Sequence, residues 1–446
     1  MTAAAATPIV DRSARAQLIN AELRGSLNAI DLGLRPSAID DQSRALQAAL
    51  DQVSAEDRTL FLPAGTYQVS NITLPPRARI TGIAGATRLV YTGAGHLLSA
   101  EGGDLVHLTD IVLDGANRPL GEYVPGIVHL SEVDEVRIAG CTILGSGGSG
   151  IAVDRCGGRL AGNDISGAAE AGIRAYESTG LSVTDNIVRA CGNNGILIHR
   201  WTSGEDGSVV TGNRVEQIRA DRGGTGPYGN GINVFQAHGV TVADNRIADC
   251  AFTAIRANSS DNVAIVGNNC ARLGEIAIFC EFSFEGAVIA DNIIDGAASG
   301  ISIANFNEGG RIASVTGNVI RNLTGEGPYP PDVDAGFGIG LWIEADAAVT
   351  GNVIEGAPRA GIWAGWGPFL RDVVITGNVI RESPNGITVS VVEGSGHALL
   401  ADNLISGAVN GAITGWQWAE QVTDELVLSG SDRFPNLAVH DNTKVP

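Results

Sequence analysis

Apolar residues alternate with other residues in short stretches that recur along most of the chain. The pattern is plainest at residues 172–188, where Gly172-Ile173 opens one stretch and a second ends in Asp185-Asn186-Ile187-Val188. The motif Gly/Asp-Asn-x-Ile/Val then recurs, with its asparagine at positions 163, 213, 245, 268, 292, 318, 352, 378 and 403. Alternation predicts β-strands, and a repeat of about 20 to 50 residues predicts a solenoid of stacked coils.

The repeated coils favour one domain, although 446 residues would ordinarily suggest about three. A solenoid grows by adding coils, so a long solenoid can still be a single domain. With a spacing of about 4.8 Å between coils, roughly 12 coils would make a prism about 60 Å long. Sixty glycines and only 17 % charged residues suit many short strands and tight turns. We therefore predict an all-β, single-domain parallel β-helix.

Two amphipathic segments near the N-terminus predict helices that cover the first coil. One spans residues 13–24, and the other follows Asp40-Asp41, with its apolar positions at Leu46, Ala49, Leu50 and Val53. Asp41 is placed to accept hydrogen bonds from the first amides of the second helix. The predicted organisation is an N-terminal extension and helical cap over 1–58, the β-helix over 59–415, and a C-terminal cap or tail over 416–446.

A series of short motifs carries a resemblance to a known family. They are Asp31-Leu32-Gly33, Asp40-Asp41-Gln42-Ser43, Leu46-Gln47-Ala48-Ala49-Leu50-Asp51, Thr59-Leu60-Phe61-Leu62-Pro63-Ala64-Gly65-Thr66-Tyr67, Leu74-Pro75 and Ile80-Thr81-Gly82. This order resembles the start of the pectate-lyase-like superfamily of right-handed parallel β-helices. From residue 28 onward the chain also looks like the twin-arginine-translocated repeat proteins of that superfamily. The resemblance implies a right-handed β-helix and a periplasmic or secreted protein, and it says little about chemistry.

Charge and composition narrow the classes of partner and cofactor. A formal net charge of −20 disfavours nucleic acid and anionic membranes, which need a basic surface. No apolar run approaches the roughly 18 residues that span a bilayer, and the first residues lack an export signal, so a cytoplasmic location stays open beside the periplasmic one. The six cysteines include no Cys-x-x-Cys pair and predict buried free thiols. We expect no metal and no cofactor.

Three insertions interrupt the repeat and indicate where a site lies, because loops of a solenoid gather on one face. They span residues 201–207, 219–230 and 322–337. The last two share a Gly-Pro-Tyr sequence and enter the same strand from the same side. We expect them to form two walls over the coils between them.

The outward positions of the Gly-Ile-x-Val strand predict the floor of that site. The first outward position gives Ala152, Arg174, Leu197, Asn233, Arg256, Phe279, Ser302, Trp342, Trp363 and Thr388. The second gives Asp154, Tyr176, His199, Phe235, Asn258, Glu281, Ala304, Glu344 and Gly365. Aromatic rings and arginines in one place suit the apolar faces and acidic groups of sugars. The predicted ligand is therefore a polysaccharide or oligosaccharide, and an acidic one fits the arginines.

Five adjacent coils carry Arg174, Tyr176, His199, Asn233, Arg256 and Glu281, of which Tyr176, His199, Arg256 and Glu281 are the candidate catalytic residues. In β-elimination from a uronide, Arg174 or Arg256 would neutralise the carboxylate, and Tyr176 or His199 would act as base and acid. The predicted substrate-binding residues are Arg174, Asn233, Phe235, Asn258, Phe279, Tyr228, Trp342 and Trp363. A polysaccharide lyase is the first hypothesis.

Two alternatives remain open at this point. A glycoside hydrolase would pair Glu281 with a second carboxylate, for which the candidates are Asp221, Asp332, Asp334, Glu205 and Glu344. A non-catalytic glycan-binding repeat protein would use the same surface. The tail, with Trp416 and Trp418, indicates either a cap or a contact in a homo-oligomer. Calcium is not expected, because the outward carboxylates Asp154, Glu281 and Glu344 lie far apart. The repeated asparagines are interpreted as structural, since stacked amides bind each other and the backbone of turns.

Overall fold

The computed structural model describes residues 25–224, 226–330 and 336–446. These residues form a right-handed parallel β-helix of about 13 turns with little helix, which confirms the predicted fold class. The helix predicted over residues 13–24 lies outside the described residues. The second predicted helix is present as Ser43–Ala55, with Leu46, Ala49, Leu50 and Val53 buried. Asp41 accepts a hydrogen bond from the backbone N–H of Ser43 at 2.8 Å.

Each regular coil contributes one strand to each of three faces. The first face contains Ser149–Asp154, Ala171–Tyr176, Asn194–Glu205, Asn230–His238, Ile255–Asn258, Ile276–Glu281, Ser299–Ile303, Ile339–Ile343, Ala360–Ala364, Asn385–Ser390 and Gly411–Gln417. The second face contains Gly158–Ala161, Ser182–Thr184, Val209–Thr211, Thr241–Ala243, Val263–Val266, Glu285–Ala290, Arg311–Thr316, Ala345–Thr350, Arg371–Thr376, Ala398–Ala401 and Leu437–His440. The first and second faces belong to one continuous sheet.

The third face forms a separate sheet. It contains Gly65–Val69, Thr87–Tyr91, Val112–Asp114, Thr142–Leu144, Asp164–Ser166, Ile187–Arg189, Arg214–Ile218, Arg246–Cys250, Asn269–Leu273, Ile293–Ala297, Val319–Leu323, Val353–Glu355, Val379–Arg381, Leu404–Ser406 and Thr443–Val445. The less regular first coils add Leu27–Asn28, Leu60–Phe61, Ile72–Thr73, Arg77–Thr81, Leu98–Thr109 and Gly126–Ala139 to the other two faces. Three short 3-10 helices occupy Phe306–Glu308, Gly367–Phe369 and Ser431–Arg433.

The repeated asparagines form a continuous ladder inside the turn between the second and third faces. At Asn268, the side-chain N–H groups donate to Asn292 Oδ1 at 3.0 Å and to the carbonyl of Val242 at 3.0 Å. Its own Oδ1 accepts from both the backbone and the side chain of Asn245. The same pattern runs from Asn163 to Asn403 and ends on Asn442. The asparagines therefore satisfy buried backbone groups that the turn would otherwise leave unpaired.

The residue before each ladder asparagine has a left-handed backbone, which explains why it is Gly or Asp. Gly267 has φ of 70° and Asp244 has φ of 55°. Glycine has no Cβ to clash in this region, and Asp tolerates it better than most residues. The conformation turns the chain sharply, so the asparagine that follows points inward.

Isoleucine and valine side chains from all three faces fill the interior along the whole axis. The six cysteines are free and buried, and burial raises the pKa of each thiol. At the C-terminal end, Gly411–Gln417 pairs with Asn385–Ser390 on one side and with the antiparallel strand Glu420–Glu425 on the other. Among the described residues, no helix combines the length and the apolar character needed to cross a bilayer.

The ladder predicts that replacing two neighbouring asparagines will have very different effects on stability. Asn268→Ala removes four buried hydrogen bonds, so we expect it to lower the free energy of unfolding by about 3 kcal/mol or more. Asn269→Ala changes a side chain at the surface and should cost about 0.5 kcal/mol or less. Urea unfolding of both variants measures the difference. Equal losses would contradict a structural role for the ladder.

Candidate functional site

A cleft of about 640 Å³ lies over the first face. Its floor comes from five adjacent coils and contains Arg174, Tyr176, Leu197, His199, Asn233, Phe235, Arg256, Asn258 and Glu281. Its rim contains Glu170, Trp201, Arg222 and Tyr228. The insertions at 201–207 and 219–230 thus both contribute to the cleft. The insertion at 322–337 lines a second, smaller cavity through Tyr329, Gly336 and Phe337.

Strand register brings the floor residues into two columns. Arg174 pairs with Leu197, Asn233 with Arg256, and Arg256 with Phe279. The second column runs Asp154, Tyr176, His199, Phe235, Asn258 and Glu281. These pairings confirm the two outward columns predicted from the repeat, because the period of two along a strand fixes which residues share a side.

Arg174, Tyr176 and His199 form a stack along the axis of the β-helix. The Arg174 guanidinium carbon lies 3.7 Å from the centre of the Tyr176 ring. The His199 ring lies nearly parallel to that of Tyr176, with centroids 5.3 Å apart. Trp201 packs edge-on against Tyr176 at 5.5 Å. The Tyr176 ring is therefore held between a cation, an imidazole and an indole. Tyr176 nevertheless remains partly exposed, on the side of the cleft.

His199 is uncharged at neutral pH. Burial lowers its pKa to about 4, the Arg174 charge acts in the same direction, and a hydrogen bond with the Asn233 side chain opposes them. The residue is 9 % exposed, and its Nε2 is sealed from solvent without a hydrogen-bond partner among the described residues. The imidazole thus forms part of the cleft floor and supports the Tyr176 ring, while its Nε2 is closed off from the cleft.

Asp154 orients Arg174 from the preceding coil. Its Oδ2 lies 3.2 Å from Arg174 Nη1 and 3.0 Å from His129 Nε2. Desolvation disfavours its charge, but the hydrogen bond with His129 and the charge of Arg174 outweigh it and lower the pKa of the Asp154 carboxyl. The other N–H groups of Arg174 make no hydrogen bond to the described residues. Arg174 is thus fixed in place and still able to bind an anion.

Arg256, in contrast, is fully engaged. Its Nε and Nη2 donate to the two carboxylate oxygens of Glu281, each at 2.6 Å, and its Nη1 lies 3.4 Å from Glu275. Asn258 donates to Glu281 Oε1 at 2.7 Å. Glu275 is fully buried and also accepts hydrogen bonds from Thr253 and from the Tyr329 hydroxyl. The predicted catalytic residues Arg256 and Glu281 therefore form a structural ion pair at one end of the cleft.

The other predicted residues divide between the two cavities and the interior. Phe279 and Trp342 line the second cavity, whereas Asn233, Phe235, Asn258 and Tyr228 line the cleft. Trp363 is only 1 % exposed, because Trp366 and Trp416 pack over it at 6.1 and 5.1 Å. Trp363 does stand in the outward column, but other rings cover its indole, so a ligand at the surface would not contact it.

The predicted partners of Glu281 that the structure describes, Asp221, Glu205 and Glu344, make no hydrogen bond to it. Asp221 is paired with Arg219 at 2.8 Å and is half-exposed. Glu344 is buried, which raises its pKa to about 7, and it accepts a hydrogen bond from the Phe306 amide. Glu205 makes no hydrogen bond to Glu281 either. Asp332 and Asp334 lie outside the described residues.

Several residues of the site were not selected from the sequence. Glu275 stands directly before the strand Ile276–Glu281, and a charged residue at the entrance of an apolar strand is the signal that could have identified it. Trp201 follows the outward His199 by two residues in a strand extended by the insertion. Glu170 and Arg222 pair with each other on the rim. Among the described residues, no group of three or more His, Cys, Asp or Glu side chains could hold a metal ion.

Comparison with known proteins agrees with the fold. The family model described as right handed beta helix region matches residues 125–314. The chain is similar to the catalytic unit of the thermostable GH87 alpha-1,3-glucanase from Streptomyces thermodiastaticus strain HF3-3, with 15 % identity and a TM-score of 0.50 over 99 % of this chain and 70 % of that chain. No curated protein sequence matches the chain significantly.

Two further solved structures are similar. The A-module of mannuronan C-5 epimerase AlgE6 from Azotobacter vinelandii has 17 % identity and a TM-score of 0.49, covering 88 % of this chain and 99 % of that chain. The N-terminal fragment of bacteriophage Phi29 gene product 12 has 13 % identity and a TM-score of 0.48, covering 93 % of this chain and 76 % of that chain. The family model and the β-helical architecture confirm the resemblance to the pectate-lyase-like class at the level of the fold.

His199 predicts a specific loss of stability in acid. The unfolded imidazole takes up a proton near its ordinary pKa of 6.5, whereas the folded one does so only near 4. Stability linked to this group is therefore fully present above pH 6.5 and falls as the pH drops towards 4, by about 3 kcal/mol. Urea unfolding of His199→Gln at several pH values should show a flatter dependence than the unchanged protein. His397→Gln, which alters an imidazole whose side chain is 81 % exposed, should leave the dependence unchanged.

The Arg256 pair predicts a different effect on stability. Arg256→Met leaves Glu275 and Glu281 buried without their cation, so we expect the free energy of unfolding to fall by about 3–5 kcal/mol. Arg272→Met breaks an exposed bidentate pair with Asp249 and should lower the free energy of unfolding far less, because solvent screens this pair. Urea unfolding compares the two. Similar small losses in both variants would show that the buried pair is not structural.

Proposed function

We propose that the chain binds an oligosaccharide or polysaccharide in the cleft and cleaves a uronate-containing chain by β-elimination. The observation that carries the proposal is the stack of Arg174, Tyr176 and His199 on the floor of the cleft. It places a cation with unused donors beside a phenol that faces the open space. The chain also shares its fold with an enzyme named as an alpha-1,3-glucanase, so a carbohydrate ligand is compatible with this architecture.

β-Elimination needs three chemical groups from the protein. A cation must bind the uronate carboxylate, because negative charge builds up there as the proton at C5 leaves. A base must take that proton, and an acid must protonate the glycosidic oxygen at C4. The C5–H and C4–O bonds break, a C4=C5 double bond forms, and the proton ends on the leaving oxygen. No water or redox partner is consumed.

Arg174 is the residue that we assign to the carboxylate. Its single contact with Asp154 leaves further N–H groups that can bind a carboxylate, and guanidinium binds carboxylates well. Arg256 would have to give up two hydrogen bonds of 2.6 Å to Glu281 before it could do the same. The structure thus supports Arg174 over Arg256, between which the sequence left the choice open.

Tyr176 is the residue that we assign to proton transfer. Its hydroxyl makes no hydrogen bond to the described residues and its ring borders the cleft. Arg174, whose guanidinium carbon lies 3.7 Å from the ring centre, holds the ring beside the place that we assign to the uronate carboxylate. His199 is buried under the same ring and holds it in place, so we assign it a positioning role.

Hydrolysis is the less supported chemistry for this cleft. A glycoside hydrolase needs a protonated carboxyl group that reaches the leaving oxygen and a second carboxylate nearby. Both oxygens of Glu281 already accept hydrogen bonds, from Arg256 and Asn258. Glu275, the described carboxylate that shares Arg256 with Glu281, is fully buried and does not line the cleft. A protein that binds the glycan without cleaving it would use the same cleft and would release no product.

Tyr176→Phe tests the proposal because it removes one oxygen and keeps the ring in its stack. We expect turnover of an acidic polysaccharide, followed by the ultraviolet absorbance of the unsaturated product, to fall by about 10²–10⁴-fold. Substrate binding, measured by calorimetry, should change little.

Tyr123→Phe provides the matched control, because Tyr123 is 91 % exposed and lies outside the cleft. Its turnover should equal that of the unchanged protein. An unchanged rate in Tyr176→Phe would refute the assignment. New reducing ends without ultraviolet absorbance would indicate a hydrolase, and binding without any product would indicate a non-catalytic glycan-binding protein.

A further inference from the structure

The second cavity lies on the first face beyond the Arg256–Glu281 pair and has a volume of about 290 Å³. Its floor follows the first outward column, in which Phe279 pairs with Ser302 and Ser302 with Trp342. A small serine between two aromatic residues on consecutive coils leaves a hollow between their rings. The volume is at the lower end of the range for ligand sites, about 300 Å³, and suits a single sugar residue.

The wall opposite this floor is held in place by buried contacts. Tyr329 donates a hydrogen bond to the fully buried Glu275 and stacks on Phe252 with centroids 6.2 Å apart. Phe337 packs edge-on against Tyr329 at 5.6 Å. Because these rings are anchored to the core, the cavity is formed before any ligand arrives.

Arg256 and Glu281 are the only charged residues among the described residues that line this cavity, and they neutralise each other. The rest of the lining is mostly aromatic rings and isoleucines. Such a cavity disfavours a uronate, which would lose its hydration without gaining a free cation. Among the described lining residues, the hydrogen-bonding atoms of the ion pair, of Ser299 and of Tyr329 are already used. The lining therefore offers a sugar few polar partners beyond Ser302 and the indole Nε1 of Trp342, which has no hydrogen-bond partner in the described part of the chain. An uncharged sugar whose hydroxyls carry acyl groups meets both conditions.

The two cavities adjoin each other on the first face. Arg256, Glu281 and Phe282 line both of them. Tyr176 and Phe279 are separated by four coil steps, or about 19 Å along the axis at the usual strand spacing. That distance requires several sugar residues, so one extended chain could occupy both cavities.

We propose that the second cavity is a distal subsite for an uncharged sugar residue bearing an acyl substituent, in the same chain that places a uronate beside Arg174. The inference rests on the proposed glycan-binding function and extends it. The substrate is then a heteropolysaccharide that contains both acidic residues and neutral, acylated ones. Phe279 and Trp342 contact the apolar face of the neutral residue, and its acyl methyl group lies against the isoleucines.

Two tryptophans report on the two cavities separately, because Trp201 lines the cleft and Trp342 lines the second cavity. The full chain labelled with fluorotryptophan would be followed by fluorine NMR, with resonances assigned by single Trp→Phe variants. The probes are methyl glucuronide, methyl glucoside and O-acetylated methyl glucoside. We expect the acetylated glucoside to shift the Trp342 resonance and the glucuronide to shift that of Trp201. Trp418, which is 47 % exposed and lies outside both cavities, should respond to none of them.

Ser302→Leu fills the hollow between Phe279 and Trp342. It should weaken the binding of the acetylated glucoside at least tenfold and leave the Trp201 response to glucuronide unchanged. The subsite proposal is overturned if the acetylated glucoside leaves Trp342 unshifted, or if glucuronide shifts Trp342 equally. A shift of Trp342 by the acetylated glucoside without any response of Trp201 to glucuronide would instead refute the proposed uronate site and leave the second cavity as a neutral-sugar site.

Discussion

At one turn of each coil, buried backbone groups must find hydrogen-bond partners, and the rest of the structure depends on how the ladder asparagines provide them. Every ladder asparagine binds the coils before and after it, as Asn268 does with Asn245 and Asn292. Since a one-residue slip would break these bonds and turn the Ile and Val side chains outward, the ladder sets the phase of each strand. That phase decides which side chains reach the cleft. The site is therefore a product of the same interaction that builds the scaffold.

Within that fixed frame, the cleft combines residues with two different electrostatic roles. Arg256 compensates the buried Glu281 and Glu275, and all of its strong contacts are internal. Arg174 has one ion-pair partner and projects over a ring that borders open space. The two arginines stand in the same column, but their neighbours differ, so only Arg174 has N–H groups left to bind a ligand. The Arg256–Glu281 pair lies where the two cavities meet, since both residues line both of them.

The sequence predicted the fold, the helix at 43–55 and the two outward columns, because all three follow from local periodicity. It did not predict which side chains pair across coils. Arg256 and Glu281 stand in different columns on adjacent coils, and only rotamers of long side chains bring them together. Nor could it show that Trp363 is buried. That outcome depends on Trp366, from an irregular segment, and on Trp416, from the C-terminal end, packing over the same ring. Contacts made by irregular segments leave no periodic signal.

The antiparallel strand Glu420–Glu425 has a consequence for the behaviour of the protein in concentrated solution. A parallel β-helix that ended on an open strand would offer its backbone to the next molecule, and growth into fibres could follow. Here the last strand of the first face, Gly411–Gln417, is already paired by a strand that runs the other way and carries Glu420, Asp424 and Glu425. Its reversed direction makes it a poor template for another parallel coil, and the Glu425 carboxylate fastens it to the backbone of Ala412 and Ile413. At this end of the β-helix the first face is therefore closed to a further parallel strand, whereas the last strands of the other two faces, Leu437–His440 and Thr443–Val445, each pair on one side only among the described residues.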